Sequence, residues 1–234
     1  MISDNIHLVR EVISKKCAET GRDPSGIKLI AVSKNFGVEE INAAMAEGQA
    51  DFGENKAQEL DKKYEILGDK VHWHFIGHLQ RNKVRFVIKA ADYIHSVDSL
   101  SLASEINKLA GKINKVQKVL LQVKTSEEET KFGVQEESEI HDLAHYCMDF
   151  PNIKLAGLMT IAPLTDDRNL IRKSFAYLRK LKDELNSGGF NLTELSMGMT
   201  SDYEIAIEEG ATMLRVGSAI FGQRDYSKDW KEGL

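Results

Sequence analysis

The first residue whose side chain could take part in chemistry is a lysine at the end of a short apolar run. In KLIAVSKNFG, residues 28–37, four apolar residues precede Ser33 and Lys34, and Gly37 marks a turn. A lysine that ends a buried strand either extends its ammonium into solvent or is held in a pocket, where a lowered pKa makes its amine a nucleophile. The stretch alone leaves both interpretations open.

Two later stretches carry hydroxyl groups and glycines of the kind that bind a phosphate group. SMGMTSD contributes Ser196, Gly198, Thr200 and Ser201, and VGSAIFG contributes Gly217 and Ser218. For either stretch alone, a helix N-cap or an ordinary turn is the favoured interpretation. Together, after the last two strands of a barrel, they favour a phosphate site.

Arg215 lies inside the apolar run MLRV, two positions before Gly217. Arginine is rarely buried without a partner, so either an ion pair with a core carboxylate or a ligand acceptor atom is expected beside it. Its permanent charge would keep a heterocyclic nitrogen unprotonated. Together with Lys34 and the two phosphate loops, this donor describes a pocket for pyridoxal 5′-phosphate, whose aldehyde forms a Schiff base with a lysine.

Eight apolar runs predict the strands that position these residues: 28–32, 50–53, 73–76, 93–97, 118–123, 155–160, 192–196 and 213–216. Between them apolar residues recur at spacings of three and four, which is typical of amphipathic helices. A further helix is predicted at about 5–19. The alternation favours an α/β fold, a closed (β/α)8 TIM barrel with one domain over residues 1–234, and an open doubly wound sheet is the alternative.

Composition excludes several classes of protein. The 234 residues are 42% hydrophobic and 29% charged with a net charge of −5, as in ordinary globular proteins, and no basic face for nucleic acid is visible. No apolar run approaches the roughly 18 residues of a transmembrane helix, and the N-terminus does not suit a signal peptide, so we expect a cytoplasmic protein. Cys17 and Cys147 fall on apolar helix positions and are predicted to be buried thiols; no metal site is expected.

Six motifs in the chain resemble those of the pyridoxal phosphate homeostasis proteins, the YggS/PROSC-like family. In order they are LIAVSKNF, FGENKAQE, WHFIGHLQRNK, ETKFG, GLMTIAP and SMGMTSDYEIAIEEGATMLRVGSAIFG. They extend from about residue 6 to Tyr226, and the last is long and highly specific. The resemblance implies a single (β/α)8 barrel similar to the N-terminal domain of alanine racemase, the fold-type III architecture.

The resemblance also implies a cofactor and its site. Family members bind pyridoxal phosphate as an internal aldimine, without established turnover, and help to balance vitamin B6 vitamers. By motif, the cofactor-binding residues are Lys34 for the Schiff base, Asn55 near the 3′-oxygen, Ser196, Gly217 and Ser218 for phosphate with Gly198 in support, and Arg215 facing the pyridine nitrogen. Ser218 stands where many members have threonine, and MTSD replaces the commoner MSxD, which leaves open whether Thr200 or Ser201 contacts phosphate.

An arginine at the ring nitrogen opposes protonation and weakens the electron sink on which catalysis by this cofactor depends. The chain ends eight residues after Tyr226, without the second domain that supplies alanine racemase with a tyrosine base, so we expect one cofactor face to be open. We therefore predict a non-catalytic, monomeric carrier of pyridoxal phosphate that binds other B6 vitamers and contacts apo-enzymes transiently. The alternatives are a fold-type III amino-acid racemase or lyase and, without this cofactor, a Schiff-base aldolase.

Overall fold

The computed structural model describes residues 1–126 and 132–223. Eight parallel strands form a closed barrel in chain order, in which the last strand pairs with the first. This closure confirms the predicted barrel and excludes the doubly wound sheet, which would have two open edges. The strands are β1 Lys28–Val32, β2 Asp51–Glu54, β3 His72–Phe75, β4 Ala91–Val97, β5 Gln117–Gln122, β6 Ile153–Met159, β7 Glu194–Ser196 and β8 Met213–Val216.

Helices follow the strands and surround the barrel. The N-terminal helix predicted at about 5–19 spans Ile2–Glu19 and buries the face that carries Ile6, Val9, Ile13 and Cys17. The α-helices are α1 Ile2–Glu19, α2 Val38–Ala46, α3 Ala57–Leu67, α4 Val84–Val87, α5 Leu100–Lys112, α6 Glu137–Asp149, α7 Arg168–Ser187, α8 Tyr203–Glu208 and α9 Ser218–Phe221. Short 3-10 turns occupy Pro24–Gly26, Gly68–Lys70 and Arg81–Lys83.

The apolar core has two parts. Because successive strand residues point to opposite faces, each strand sends one set of side chains under the helices and the other toward the barrel axis. The larger part includes Phe52, Trp73 and Phe175, and the smaller part consists of Ile30, Leu120, Ala156, Met159 and Met213.

Both cysteines are buried free thiols, as the sequence predicted. Burial raises the pKa of Cys147 to about 12 and also raises that of Cys17, so neither is activated as a nucleophile. No helix in the described ranges is long and apolar enough to cross a membrane. Over the same ranges, no group of three or more His, Cys, Asp or Glu is placed to hold a metal ion.

Part of the resemblance noted above lies outside the described residues. This concerns residues 129–131 of the ETKFG motif and residues 224–226 at the end of the matching region. Every predicted site residue lies within the described ranges.

Candidate functional site

A cavity of about 520 Å³ lies at the carboxyl ends of the strands. Its volume is in the range of small-molecule sites, and in (β/α)8 barrels active sites form at this end. The lining includes five of the residues predicted from the sequence, namely Lys34, Asn55, Arg215, Gly217 and Ser218. The structure therefore brings together side chains from β1, β2 and β8 that are far apart in the sequence.

The loop that carries Lys34 is anchored on both sides of the lysine. The backbone N–H of Asn35 donates to Glu59 Oε1 at 2.6 Å, and Lys63 Nζ donates to the carbonyl of Ser33 at 2.9 Å. Asn35 has φ +65°, a left-handed conformation that asparagine tolerates better than most residues. These contacts fix the backbone from which Lys34 projects.

The anchoring side chains form a fully buried charged cluster. Lys63 Nζ lies 2.7 Å from Glu54 Oε1 and 2.8 Å from Glu59 Oε1, and Ser33 Oγ donates to Glu54 at 2.6 Å. Burial raises the pKa of Glu54, and the negative charge of Glu59 raises it further. The positive charge of Lys63 lowers it, and the net result is a pKa of about 7. Sequence reasoning missed Lys63; the available signal was a lysine on the apolar face of α3, four residues after Glu59.

Asn55 lines the cavity and has a buried amide oxygen. Its Oδ1 has no hydrogen-bond partner among the residues that the structure describes. An unpaired buried acceptor costs about 1–3 kcal/mol, which a ligand donor would remove. Gly77 lies so close that a Cβ there would be 2.2 Å from the carbonyl oxygen of Asn55, so glycine is required for this approach.

The loops after β7 and β8 line one wall of the cavity with hydroxyl groups. Thr200 and Ser201 belong to the first loop and Ser218 to the second. Gly198 does not line the cavity but shapes the first loop, because its φ is +93° and a Cβ would lie 2.6 Å from that of Ala206. These hydroxyl groups fit an oxyanion such as a phosphate group.

Ser196, which the family resemblance assigns to the phosphate, is the last residue of β7. It is fully buried and absent from the cavity lining. Its Oγ accepts from Arg215 Nη1 at 2.7 Å and lies 2.8 Å from His95 Nδ1. These contacts with β4 and β8 hold the Ser196 side chain inside the barrel.

Arg215 forms the floor of the cavity. Its guanidinium donates from Nη1 to Ser196 Oγ and from Nη2 to the carbonyl of Thr160 at 2.8 Å. Both acceptors are neutral groups, so neither forms an ion pair with Arg215. Burial, opposed by the charge of Asp202, lowers the pKa of Arg215 to about 10, and the group therefore stays charged at neutral pH. A buried cation with free donor capacity at a cavity floor suits a ligand acceptor atom.

A further part of the cavity lining comes from the end of β5 and from residues that follow β3 and β5. His78 and Phe132 stack with their ring centroids 3.8 Å apart, and Gln122 Nε2 donates to the carbonyl of Phe132 at 2.9 Å. Lys124 completes this part of the lining. The cavity lining thus combines an aromatic pair with hydroxyl-bearing residues.

Residues 11–225 match the protein family described as alanine racemase, N-terminal domain. The chain is 44% identical over 225 residues to the pyridoxal phosphate homeostasis protein of Aquifex aeolicus, covering 95% of this chain and 98% of that one. It is 38% identical to the protein of that name from Escherichia coli, covering 97% and 98%. This chain belongs to the pyridoxal phosphate homeostasis family.

Solved structures agree with that family assignment. PipY of Synechococcus elongatus, with pyridoxal phosphate bound, is 36% identical and superposes with a TM-score of 0.83 over 95% of this chain and 100% of that one. An alanine racemase of Clostridium difficile is 18% identical with a TM-score of 0.76, covering 99% of this chain and 60% of that one. The racemase likeness concerns the fold alone.

Proposed function

We propose that this chain binds pyridoxal 5′-phosphate covalently through Lys34 and acts as a carrier in vitamin B6 homeostasis. The observation that carries the proposal is that Lys34, Asn55, Arg215 and the hydroxyl-bearing loops line one cavity. Each supplies a group that suits a different part of this cofactor. PipY, 36% identical, has the same cofactor bound.

When bound, the cofactor would supply an aldehyde, and the Lys34 amine would hold it covalently. The unpaired Oδ1 of Asn55 would accept a hydrogen bond from the ring hydroxyl. Thr200, Ser201 and Ser218 would hold the phosphate group. Arg215 would donate to the ring nitrogen and keep it unprotonated.

We propose a carrier rather than an amino-acid racemase or lyase because Arg215 disfavours the protonated ring that stabilises a carbanion. The cavity rim also supports transfer of the cofactor, since Ser201, Ser218 and His78 are exposed. The receiving partners in this proposal are apo-enzymes that depend on the cofactor, and other B6 vitamers are further ligands. We propose that the chain acts as a monomer in the cytoplasm.

The covalent attachment is tested by borohydride reduction of the protein loaded with pyridoxal phosphate. Peptide mass analysis should place the added mass on the peptide that contains Lys34, and Lys34→Arg should abolish it. Lys56→Arg and Lys124→Arg are matched controls, because Lys56 lies in the neighbouring loop and Lys124 lines the cavity. Labelling of either control lysine instead would contradict the proposal.

A second arm of the experiment measures turnover on the same loaded protein. Alanine and serine are incubated in deuterated water, and loss of their α-hydrogen is followed by NMR. A carrier should show no exchange above that of free pyridoxal phosphate. Exchange that is faster and lost in Lys34→Arg would favour the racemase or lyase function.

A further inference from the structure

A hydrogen-bonded chain of side chains crosses the barrel from Arg215 to the opposite end. His95 Nδ1 lies 2.8 Å from Ser196 Oγ, and His95 Nε2 lies 2.9 Å from His74 Nδ1. His74 Nε2 lies 2.9 Å from Asp51 Oδ1. The members come from β8, β7, β4, β3 and β2, and both histidines are fully buried.

Elementary donor and acceptor rules give this chain one direction. A guanidinium only donates and an ionised carboxylate only accepts, whereas a neutral imidazole has one donor and one acceptor nitrogen. With both histidines neutral, Ser196 donates to His95 Nδ1, His95 Nε2–H donates to His74 Nδ1, and His74 Nε2–H donates to Asp51. The reverse direction would place the lone pair of His74 Nε2 against a carboxylate oxygen.

The charge states that this direction requires agree with the surroundings. Burial lowers the pKa of His74 and lowers that of His95 well below its usual value, so both are neutral. Burial raises the pKa of Asp51, but the hydrogen bond from His74 and the charge of Lys28 more than offset this, leaving the carboxylate ionised. The charged and titratable groups that face the two histidines are Asp51, Lys28, Asp92, Tyr93 and Arg215.

We propose that Asp51, at the amino-terminal end of the barrel, is a positioning residue for Arg215 and acts through His74, His95 and Ser196. The carboxylate fixes the direction of donation along this series of hydrogen bonds. The Ser196 hydroxyl then donates to His95, and its oxygen is left to accept from Arg215 Nη1. The guanidinium is thereby held with its remaining donors toward the cavity. The part of this inference that concerns the ring nitrogen rests on the proposed function.

The direction of the chain is tested without any cofactor, by ¹⁵N NMR of the histidines in the full-length protein. His74→Gln and His95→Gln assign the two signals among the seven histidines. Both rings should be neutral from pH 6 to 8, with the proton on Nε2. Asp51→Asn should give a mixture of tautomers, because asparagine can both accept from and donate to His74. A cationic ring, or a proton on Nδ1, in the unmodified protein would overturn the inference.

The effect on Arg215 is tested with pyridoxal phosphate labelled with ¹⁵N in the ring. Asp51→Asn should shift the ring-nitrogen resonance and weaken cofactor affinity about three- to tenfold, the scale expected for one weakened hydrogen bond. Asp92→Asn is the matched control, because Asp92 accepts from the backbone N–H of Trp73 on the same barrel end and lies outside the chain. Lys28→Met controls for loss of the Lys28–Asp51 ion pair, whose atoms are 3.5 Å apart.

Both controls should match the unmodified protein in resonance and affinity, and melting temperatures establish that each variant is folded. If Asp51→Asn behaves as the controls do, Asp51 does not position Arg215. Failure of the unmodified protein to bind the cofactor would instead reject the proposed function, and the tautomer measurement would still decide the direction of the chain.

Discussion

Thr200 and Ser218 present hydroxyl groups to the cavity, whereas the Ser196 hydroxyl faces Arg215. We therefore expect Thr200→Val and Ser218→Ala each to weaken binding of pyridoxal phosphate by about 1.5–3 kcal/mol, the usual contribution of a hydrogen bond to a charged group. Binding of pyridoxal, which lacks the phosphate, should change little in both variants. Calorimetric titration with the two ligands provides the measurement.

Ser196→Ala is the informative comparison, because the sequence assigned Ser196 to the phosphate. If it lies below the cavity, its loss should weaken pyridoxal and pyridoxal phosphate binding by similar factors. A loss confined to the phosphate ester would show that Ser196 contacts phosphate after all. The sequence motif alone could not separate these outcomes, since Ser196 and Thr200 are both hydroxyl residues in the same short stretch.

The sequence predicted Lys34 and Arg215 in one pocket because strand ends in a barrel converge on one face, and the family resemblance added Asn55. It did not predict the partners of these residues. Lys63 and His95 lie on predicted elements, but the contacts that give them a role join α3 to β1 and β4 to β7. Such contacts depend on strand register and barrel geometry, which periodicity in the sequence does not specify.

Between β1, β2 and α3, the cluster of Glu54, Glu59 and Lys63 makes stability depend on pH. The pKa of Glu54 is raised from 4.5 to about 7, so the folded state binds a proton that the unfolded state releases between these values. The stabilisation by Glu54 is therefore present below about pH 4.5 and lost as pH rises through 7. The loss amounts to at most about 3 kcal/mol.

We expect Glu54→Gln to remove this loss, so that its free energy of unfolding falls less between pH 5 and 7.5 than that of the unmodified protein. Urea denaturation at the two pH values provides the measurement. Glu65→Gln is the control, because Glu65 lies on α3 with Glu59 and Lys63 but pairs with Lys62 in solvent. An identical pH dependence in Glu54→Gln and the unmodified protein would show that Glu54 is ionised throughout.

The β7–α8 connection offers a second test at the scale of elements. Gly198 and Gly210 both have φ +93°, but only at Gly198 would a Cβ come within 2.6 Å of a neighbour, whereas at Gly210 the nearest atom is 3.5 Å away. Both alanine variants carry the same backbone strain. Gly198→Ala should lose about 1–3 kcal/mol more from the free energy of unfolding, because α8 must shift. If denaturant titration shows that the two variants lose the same free energy of unfolding, the loop accommodates the Cβ at position 198 without an energetic penalty.

Over the whole molecule, the order of eight strands and their closure were predictable, and strand bounds were correct to within two residues. The reason is that short apolar runs alternate with amphipathic stretches throughout the chain, and few folds satisfy eight such units. The position of α1 was not predictable. Its apolar face shows that it packs on something, but not on which part of the barrel.

In the structure α1 packs against α2, α8 and α9. Asn5 Nδ2 donates to the carbonyl of Ile220 in α9 at 2.9 Å, and Arg10 Nη1 donates to the carbonyl of Glu47 after α2 at 2.7 Å. The helix therefore bridges the elements that follow β1 and β8. It spans the β1–β8 seam, the pairing of residues 28–31 with 213–216 that closes the barrel. Lys34 and Arg215 lie on the two sides of this seam.

Ile6 on α1 is fully buried, whereas Leu8 on the same helix is 60% exposed. Ile6→Ala should lower the free energy of unfolding by about 2–5 kcal/mol through loss of buried contacts and formation of a cavity, and Leu8→Ala should change it by no more than about 0.5 kcal/mol.

Because α1 holds the seam, amide hydrogen exchange in Ile6→Ala should accelerate more in β1 and β8 than in β4 and β5. Bound pyridoxal phosphate, which contacts both sides in the proposed function, should slow exchange preferentially at the seam. Exchange that accelerates equally in all strands of Ile6→Ala would instead mean that α1 stabilises the barrel only as a whole.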